Sequence, residues 1–149
     1  LMDNAFEYVI KNGLCTEKSY NYTGKIDGTC HKNNCKSVIN IRNYIDVIPN
    51  NPLALQQSVY LQPVSIAIEA DQTGFQFYSH GVYTGNCGTN LDHGVLLVGW
   101  GEINGKQYWK VKNSWGPNWG NNGYILLEKN KNQTGGQCGI LLKGSYPVM

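Results

Sequence analysis

Residues 91–101 read LDHGVLLVGWG, and residues 111–125 read VKNSWGPNWGNNGYI. Gly94–Trp100 is a near-continuous apolar run. It is far too short to span a bilayer, and it predicts a strand buried on both faces. Tyr108–Asn113 alternates apolar with polar side chains, the period of a strand with one face turned inward. Two tryptophans, Trp115 and Trp119, then bracket a Gly116-Pro117 turn, and Gly123–Glu128 resumes as another strand. Glycine-rich turns between these short apolar runs predict a β region rather than a helical bundle.

Upstream, Val64, Ile66 and Ile68 alternate with Ser65, Ala67 and Glu69, so residues 63–70 predict a strand. Asn50-Asn51-Pro52 reads as the start of a short helix, with Pro52 in its first turn and Leu55 and Val59 inward. Residues 14–40 are turn-rich and carry three cysteines, the pattern of a loop held by covalent bonds. Met2, Ala5, Phe6, Val9 and Ile10 recur at helical spacing, and Gly13 ends the run. The order is helices first, then an antiparallel β region from about residue 47. There is no internal repeat.

A length of 149 residues fits one domain, or one domain plus a piece of another. A 41% hydrophobic share supports a core, and a 15% charged share argues against disorder. The 12 basic and 10 acidic residues are scattered, which argues against nucleic acid as a partner. No run is long enough for membrane insertion by a helix. The chain begins Leu1-Met2-Asp3-Asn4 inside a helical pattern, as if cut within a larger protein. The five cysteines, Cys15, Cys30, Cys35, Cys87 and Cys138, leave at least one without an internal partner. Asn21-Tyr22-Thr23 and Asn132-Gln133-Thr134 are N-glycosylation sequons. With the cysteines, they point to a secreted or lysosomal-type compartment rather than the cytosol.

The chain lacks G-x-G-x-x-G, a Walker-type lysine loop, H-E-x-x-H and G-x-S-x-G. Most nucleotide, zinc-protease and serine-hydrolase readings fall with them. His31 lies in a cysteine-bearing loop and His80 in a turn, where solvation is the plain expectation. His93 stands at the mouth of the apolar strand, behind Asp92 and before Gly94. By residue type alone the favoured reading is a satisfied structural histidine. Asn113 ends the following strand, where its amide oxygen is able to accept the Nδ1–H of a histidine and orient the ring. Trp115 is placed to cover such a bond. The plainer alternative is a tryptophan-rich core corner with Asn113 as a turn former.

Taken together, the two opening stretches resemble the His and Asn motifs of the papain family of cysteine peptidases. LMDNAFEYVIKNG (1–13) is similar to the segment after the family's nucleophile motif, in its cathepsin L-like branch. QPVSIAIEA (62–70), FYSHGVYTGNCG (77–88) and CGILLKGSYPV (138–148) fit the same family in order, so the resemblance runs from end to end. The family's signature cysteine is not among the five here. It is expected roughly 40–60 residues before Leu1, so the resemblance implies the C-terminal two-thirds of a mature enzyme.

The resemblance implies an α+β fold of two parts: a partial helical domain over 1–46 and an antiparallel β-barrel domain over 47–149, whose tail returns to the helical part. It implies a catalytic role for His93, orientation of its imidazole by Asn113, shielding by Trp115 and a modest electrostatic role for Asp92. The S2 pocket would be lined by Leu1, Met2, Ala67, Leu91 and Gly94, with Lys143 at its floor where the family often has a small or acidic residue. Cys87 would pair with Cys138, Cys30 with a cysteine upstream, and Cys15 with Cys35. A zinc site from Cys15, Cys30, His31 and Cys35 is a rival that lacks paired C-x-x-C units. The reaction would be peptide hydrolysis with no metal or organic cofactor. The implied partners are protein or peptide substrates, the nucleophile-bearing segment as a possible companion chain, a pro-segment and cystatin-like inhibitors. The implied location is lysosomal, vacuolar or extracellular. The alternatives are a truncated pseudo-peptidase that binds peptides without cleaving them, and a purely structural or interaction protein.

Overall fold

A computed structural model describes residues 1–26 and 28–149. It comprises α1 (Met2–Asn12), β1 (Asn43–Asp46), α2 (Pro52–Leu61), β2 (Val64–Ile68), α3 (Thr73–Gln76), β3 (Val82–Tyr83), β4 (His93–Ile103), β5 (Lys106–Lys112), β6 (Tyr124–Glu128) and β7 (Gly144–Val148). Short 3₁₀ turns lie at Lys32–Asn34 and Gln137–Gly139. The strands form one sheet in the order β1-β7-β2-β4-β5-β6-β3. The chain divides into two compact units: residues 3–44 with Leu1 and Pro147–Met149, and residues 45–146 with Met2.

In the first unit α1 ends at Gly13, whose φ of 69° places it in left-handed space. A Cβ there would sit 1.9 Å from Ser37 Oγ, so only glycine fits. The loop beyond is closed by the Cys15–Cys35 disulfide and by a bridge between Leu14 and Ile39. Phe6 stacks on Tyr44 at 5.8 Å between ring centroids. The core is thin. Val9 and Ile41 are its buried apolar residues, while Ile10, Leu14, Val38 and Ile39 are exposed.

The second unit carries the main core, in which Leu55, Val64, Ile66, Ile68, Phe75, Leu97, Trp109, Val111, Ile125 and Leu127 are buried. Asn51 caps α2 by accepting the Ala54 N–H at 2.9 Å. Leu55 and Val59 turn inward, as their spacing predicts. β2 is paired on both sides, to β4 and to β7. Asn104 and Gly105, with φ of 52° and 77°, make the tight turn that joins β4 to β5.

Two expectations need amendment. The β region is mixed, because β3 runs parallel to β6 while the β2–β4, β4–β5 and β5–β6 ladders are antiparallel. A parallel pair needs a long crossover, here the whole stretch from Tyr83 to Tyr124. Nor is β4 buried on both faces. Leu97 alone in it is fully buried, and Trp100 is exposed. An antiparallel strand puts one face on the core and leaves the other open, even when its sequence is apolar throughout.

Candidate active site

The site lies in the second unit, where β4 begins and β5 ends. His93 opens β4 and pairs with Ile68 of β2. Lys112, the last residue of β5, pairs with Leu96. Continuing that register by one step sets Asn113 opposite Val95, which shares a strand face with His93. The two side chains meet there, with His93 Nε2 2.8 Å from Asn113 Oδ1.

The local bonding settles which atoms face each other. The Ser114 N–H donates to Asn113 Oδ1 at 2.8 Å, so the shared atom must be the acceptor oxygen. His93 Nε2 therefore carries a proton and donates it. The nitrogen that meets the amide is Nε2, not the Nδ1 expected from sequence. Nδ1 is left as the ring's second functional nitrogen. Asn113 is only 8% exposed, so its bond to His93 is sheltered from competing water.

Trp115 lies over the imidazole, with ring centroids 5.1 Å apart and planes inclined by 27°. It is held edge-to-face by Phe75 at 5.8 Å and by Trp119 at 5.1 Å. Trp119 is anchored in turn by its indole N–H, which donates to Gln76 O at 2.8 Å. The loop between Asn113 and Gly123 is closed at its base by Asn113 N–H to Gly123 O, 2.9 Å, and at Trp119 by Gly123 N–H to Trp119 O, 2.7 Å. Phe75 and Gln76 belong to α3, an element not expected from sequence. A Thr-Gly-Phe-Gln tetrapeptide has no helical period to read, and only the buried Phe75 marks its role.

Asp92 is a clasp. Its Oδ1 accepts the Ala70 N–H at 2.8 Å, and its own N–H donates to Ile68 O at 3.0 Å. Glu69, which no motif singled out, is buried and accepts the N–H groups of Gly88 and Asn90. Among the residues expected at S2, Ala67 pairs with Gly94, and the Ala67 N–H donates to Lys143 O at 3.0 Å. Leu91 points toward Gly139, where an added Cβ would lie 2.6 Å from Leu91 Cδ2. The Lys143 ammonium meets Asp46 Oδ1 at 3.1 Å. Leu1 belongs to the first unit and is 79% exposed.

Disulfides join Cys87 to Cys138 and Cys15 to Cys35, while the Cys30 thiol is free and exposed. With two of its four ligands bonded to each other, the rival zinc set is dismantled. Asn21 and Asn132 are exposed, as is His80, whose Nδ1 lies 2.9 Å from Ser79 Oγ. A concavity of about 980 Å³ opens in the first unit, lined by Tyr20, Tyr22, Cys30 and His31 among others. None of His93, Asn113 and Trp115 lines it.

A histidine bonded to an amide beneath an indole thus stands on a mixed sheet of this order. The chain belongs to the papain family of cysteine proteases, whose family model matches residues 1–148. It is 52% identical over 150 residues to the thiol protease SEN102 of Hemerocallis, covering 99% of this chain and 41% of that protein. Its fold matches the bromelain protease of Ananas comosus with a TM-score of 0.93 and 39% identity, over 99% of this chain and 68% of the other. The proform of the Amb a 11 cysteine protease, a ragweed pollen allergen, matches with a TM-score of 0.94 and 46% identity, over 100% of this chain and 45% of that one. The chain thus spans less than half the length of the curated relative.

Proposed function

We propose that this chain is the His- and Asn-bearing part of a cysteine endopeptidase, completed by a segment that supplies the nucleophilic cysteine and the oxyanion donors. The observation that carries the reading is the His93–Asn113 pair. With Nε2 committed to the amide oxygen, Nδ1 is the nitrogen left to exchange a proton with a thiol. Transfer of that proton makes a thiolate–imidazolium pair, and the thiolate is the attacking species. The thiolate adds to the scissile carbonyl carbon, and His93 Nδ1–H gives its proton to the leaving amine as the C–N bond breaks. Neutral Nδ1 then takes a proton from water, whose oxygen attacks the thioester. The acid product leaves, and the pair is restored. Asn113 keeps the ring from rotating through both steps, and Trp115 covers one face of it.

The substrates under this reading are proteins or peptides. Met2, Ala67, Leu91 and Gly94 would line S2, with Lys143 at its floor. Asp46 holds the Lys143 ammonium, which favours an apolar P2 residue such as Leu over Arg. The helical part would comprise residues 1–46 and be completed by the nucleophile-bearing segment, with Cys30 bonded to a cysteine there. A pro-segment and cystatin-like inhibitors are the further partners. Two disulfides and two exposed sequons support passage through the secretory pathway to a lysosome, a vacuole or the exterior, with glycans on Asn21 and Asn132.

The test is hydrolysis of a P2-varied fluorogenic peptide library, by the chain alone and by the protein that includes the nucleophile segment. The expected result is no turnover by the chain alone and thiol-dependent turnover by the complete protein, best with Leu at P2. Turnover that resists a thiol alkylator would overturn the mechanism, and a preference for Arg at P2 would overturn the pocket.

A further inference from the structure

We propose that Glu69 is a positioning residue of this peptidase site, a buried carboxylate that sets the loop from which His93 enters β4. The inference rests on the peptidase reading above. Glu69 follows directly on β2 and is 6% exposed. Its two oxygens accept different backbone donors: Oε1 takes the Gly88 N–H at 2.7 Å and Oε2 takes the Asn90 N–H at 2.5 Å. Gln72 Nε2 approaches Oε1 at 3.4 Å. A buried carboxylate is costly unless it is fully hydrogen-bonded, and bonds from backbone N–H groups to an ionised oxygen are among the stronger ones. An apolar side chain here would leave two loop donors unsatisfied.

The geometry around it points at His93. Ile68, the residue before Glu69, is the strand partner of His93. The Asp92 N–H donates to Ile68 O, and the Asp92 carboxylate accepts from Ala70. The end of β2 and the loop before β4 are therefore laced in both directions, by Glu69 reaching to the loop and by Asp92 reaching back. The Glu69 N–H also donates to Cys138 O at 2.9 Å, and Cys138 is bonded to Cys87 at the head of the same loop. The fit is close. A Cβ on Gly88 would lie 2.8 Å and 3.0 Å from the two carboxylate oxygens. A loop one residue longer or slightly displaced would carry His93 away from Asn113 Oδ1, and a catalytic group tolerates a misplacement of only about 0.5 Å.

The experiment uses the complete peptidase with Glu69→Gln, Glu69→Leu and Gly88→Ala. Glu69→Gln keeps the shape but turns one acceptor into a donor facing an N–H. Its kcat should fall about 10- to 100-fold with KM within about twofold, as for a displaced catalytic group. The His93 Nε2–H proton, seen by NMR, should exchange with solvent faster than in the wild type. Gly88→Ala, which pushes on the same carboxylate, should do likewise. Should Glu69→Leu fail to fold, the other two variants carry the test. Unchanged kcat and unchanged Nε2–H exchange in a Glu69→Gln protein of lowered Tm would overturn the proposal and leave Glu69 a stabilising residue only. If the wild type shows no peptidase activity, the function reading fails by itself, and the Nε2–H exchange comparison still decides whether Glu69 positions His93.

Discussion

His93 and Asn113 divide one task unevenly. The imidazole moves protons in both halves of the proposed reaction, whereas the amide only holds it. His93→Ala should therefore lower kcat/KM by at least about 10³-fold, and Asn113→Ala by about 10–100-fold, the range for loss of a group that orients a functional ligand. Steady-state kinetics of the complete enzyme measures both, and near-wild-type turnover by His93→Ala would end the catalytic reading. Position alone left a plainer structural reading for each; what singled them out was the family resemblance carried by LDHGVLLVGWG and VKNSWGPNWGNNGYI. The bonded ring nitrogen was not legible. It depends on the torsion of the side chain and on the Leu96–Lys112 register, neither of which a string of letters contains. Glu69 was invisible for another reason. In VSIAIEA it occupies what reads as an ordinary solvent position of an alternating strand, and its partners lie 19 and 21 residues away.

At the scale of elements, legibility followed local chemistry. Asn51-Pro52 carries the start of α2 in its own atoms, since a capping oxygen and a fixed φ act within one turn. Asn51→Ala should cost about 1 kcal/mol of stability by urea denaturation, with peptidase kinetics unaltered; a loss below a few tenths would mean that packing alone holds this end. The short α3 and the open face of β4 depend on what the rest of the chain lays against them, so pattern alone missed them. The aromatic cluster beneath Trp115 adds a pH dependence. Tyr78 donates to Gly81 O at 2.7 Å, and burial pushes its phenol up, opposed in part by the Leu126 N–H it accepts. Burial also pushes up Tyr83. The folded state thus holds these protons more tightly than the unfolded chain. The stability this contributes is whole below the ordinary tyrosine pKa of about 10 and is lost as pH rises through the folded values. Thermal melts should show Tm falling above about pH 10, and less steeply for Tyr78→Phe; parallel curves would remove Tyr78 as a cause.

The whole molecule is uneven in how much of it is held together. Among the described residues, the buried apolar side chains other than Val9 and Ile41 lie in the second unit. In the first unit, one disulfide and a few backbone bonds stand in place of a core, while Ile10, Leu14, Tyr22, Ile26 and Val38 remain exposed. Each large apolar side chain left in water forgoes about 1.5–3 kcal/mol of burial, against a net domain stability of about 5–15 kcal/mol. Within this chain, the first unit therefore has little to oppose local opening, and the second has a sheet whose central strands are paired on both sides. Local opening free energies should split accordingly. In the chain by itself, amide hydrogen exchange should be fast across residues 2–26 and 28–40 and slow across β2, β4, β5 and β6. Adding the nucleophile-bearing segment should slow the first set and leave the second nearly unchanged. Equal protection of α1 and β2 in the isolated chain would show that the first unit is stable without a partner, and would remove the physical reason for expecting one to cover it.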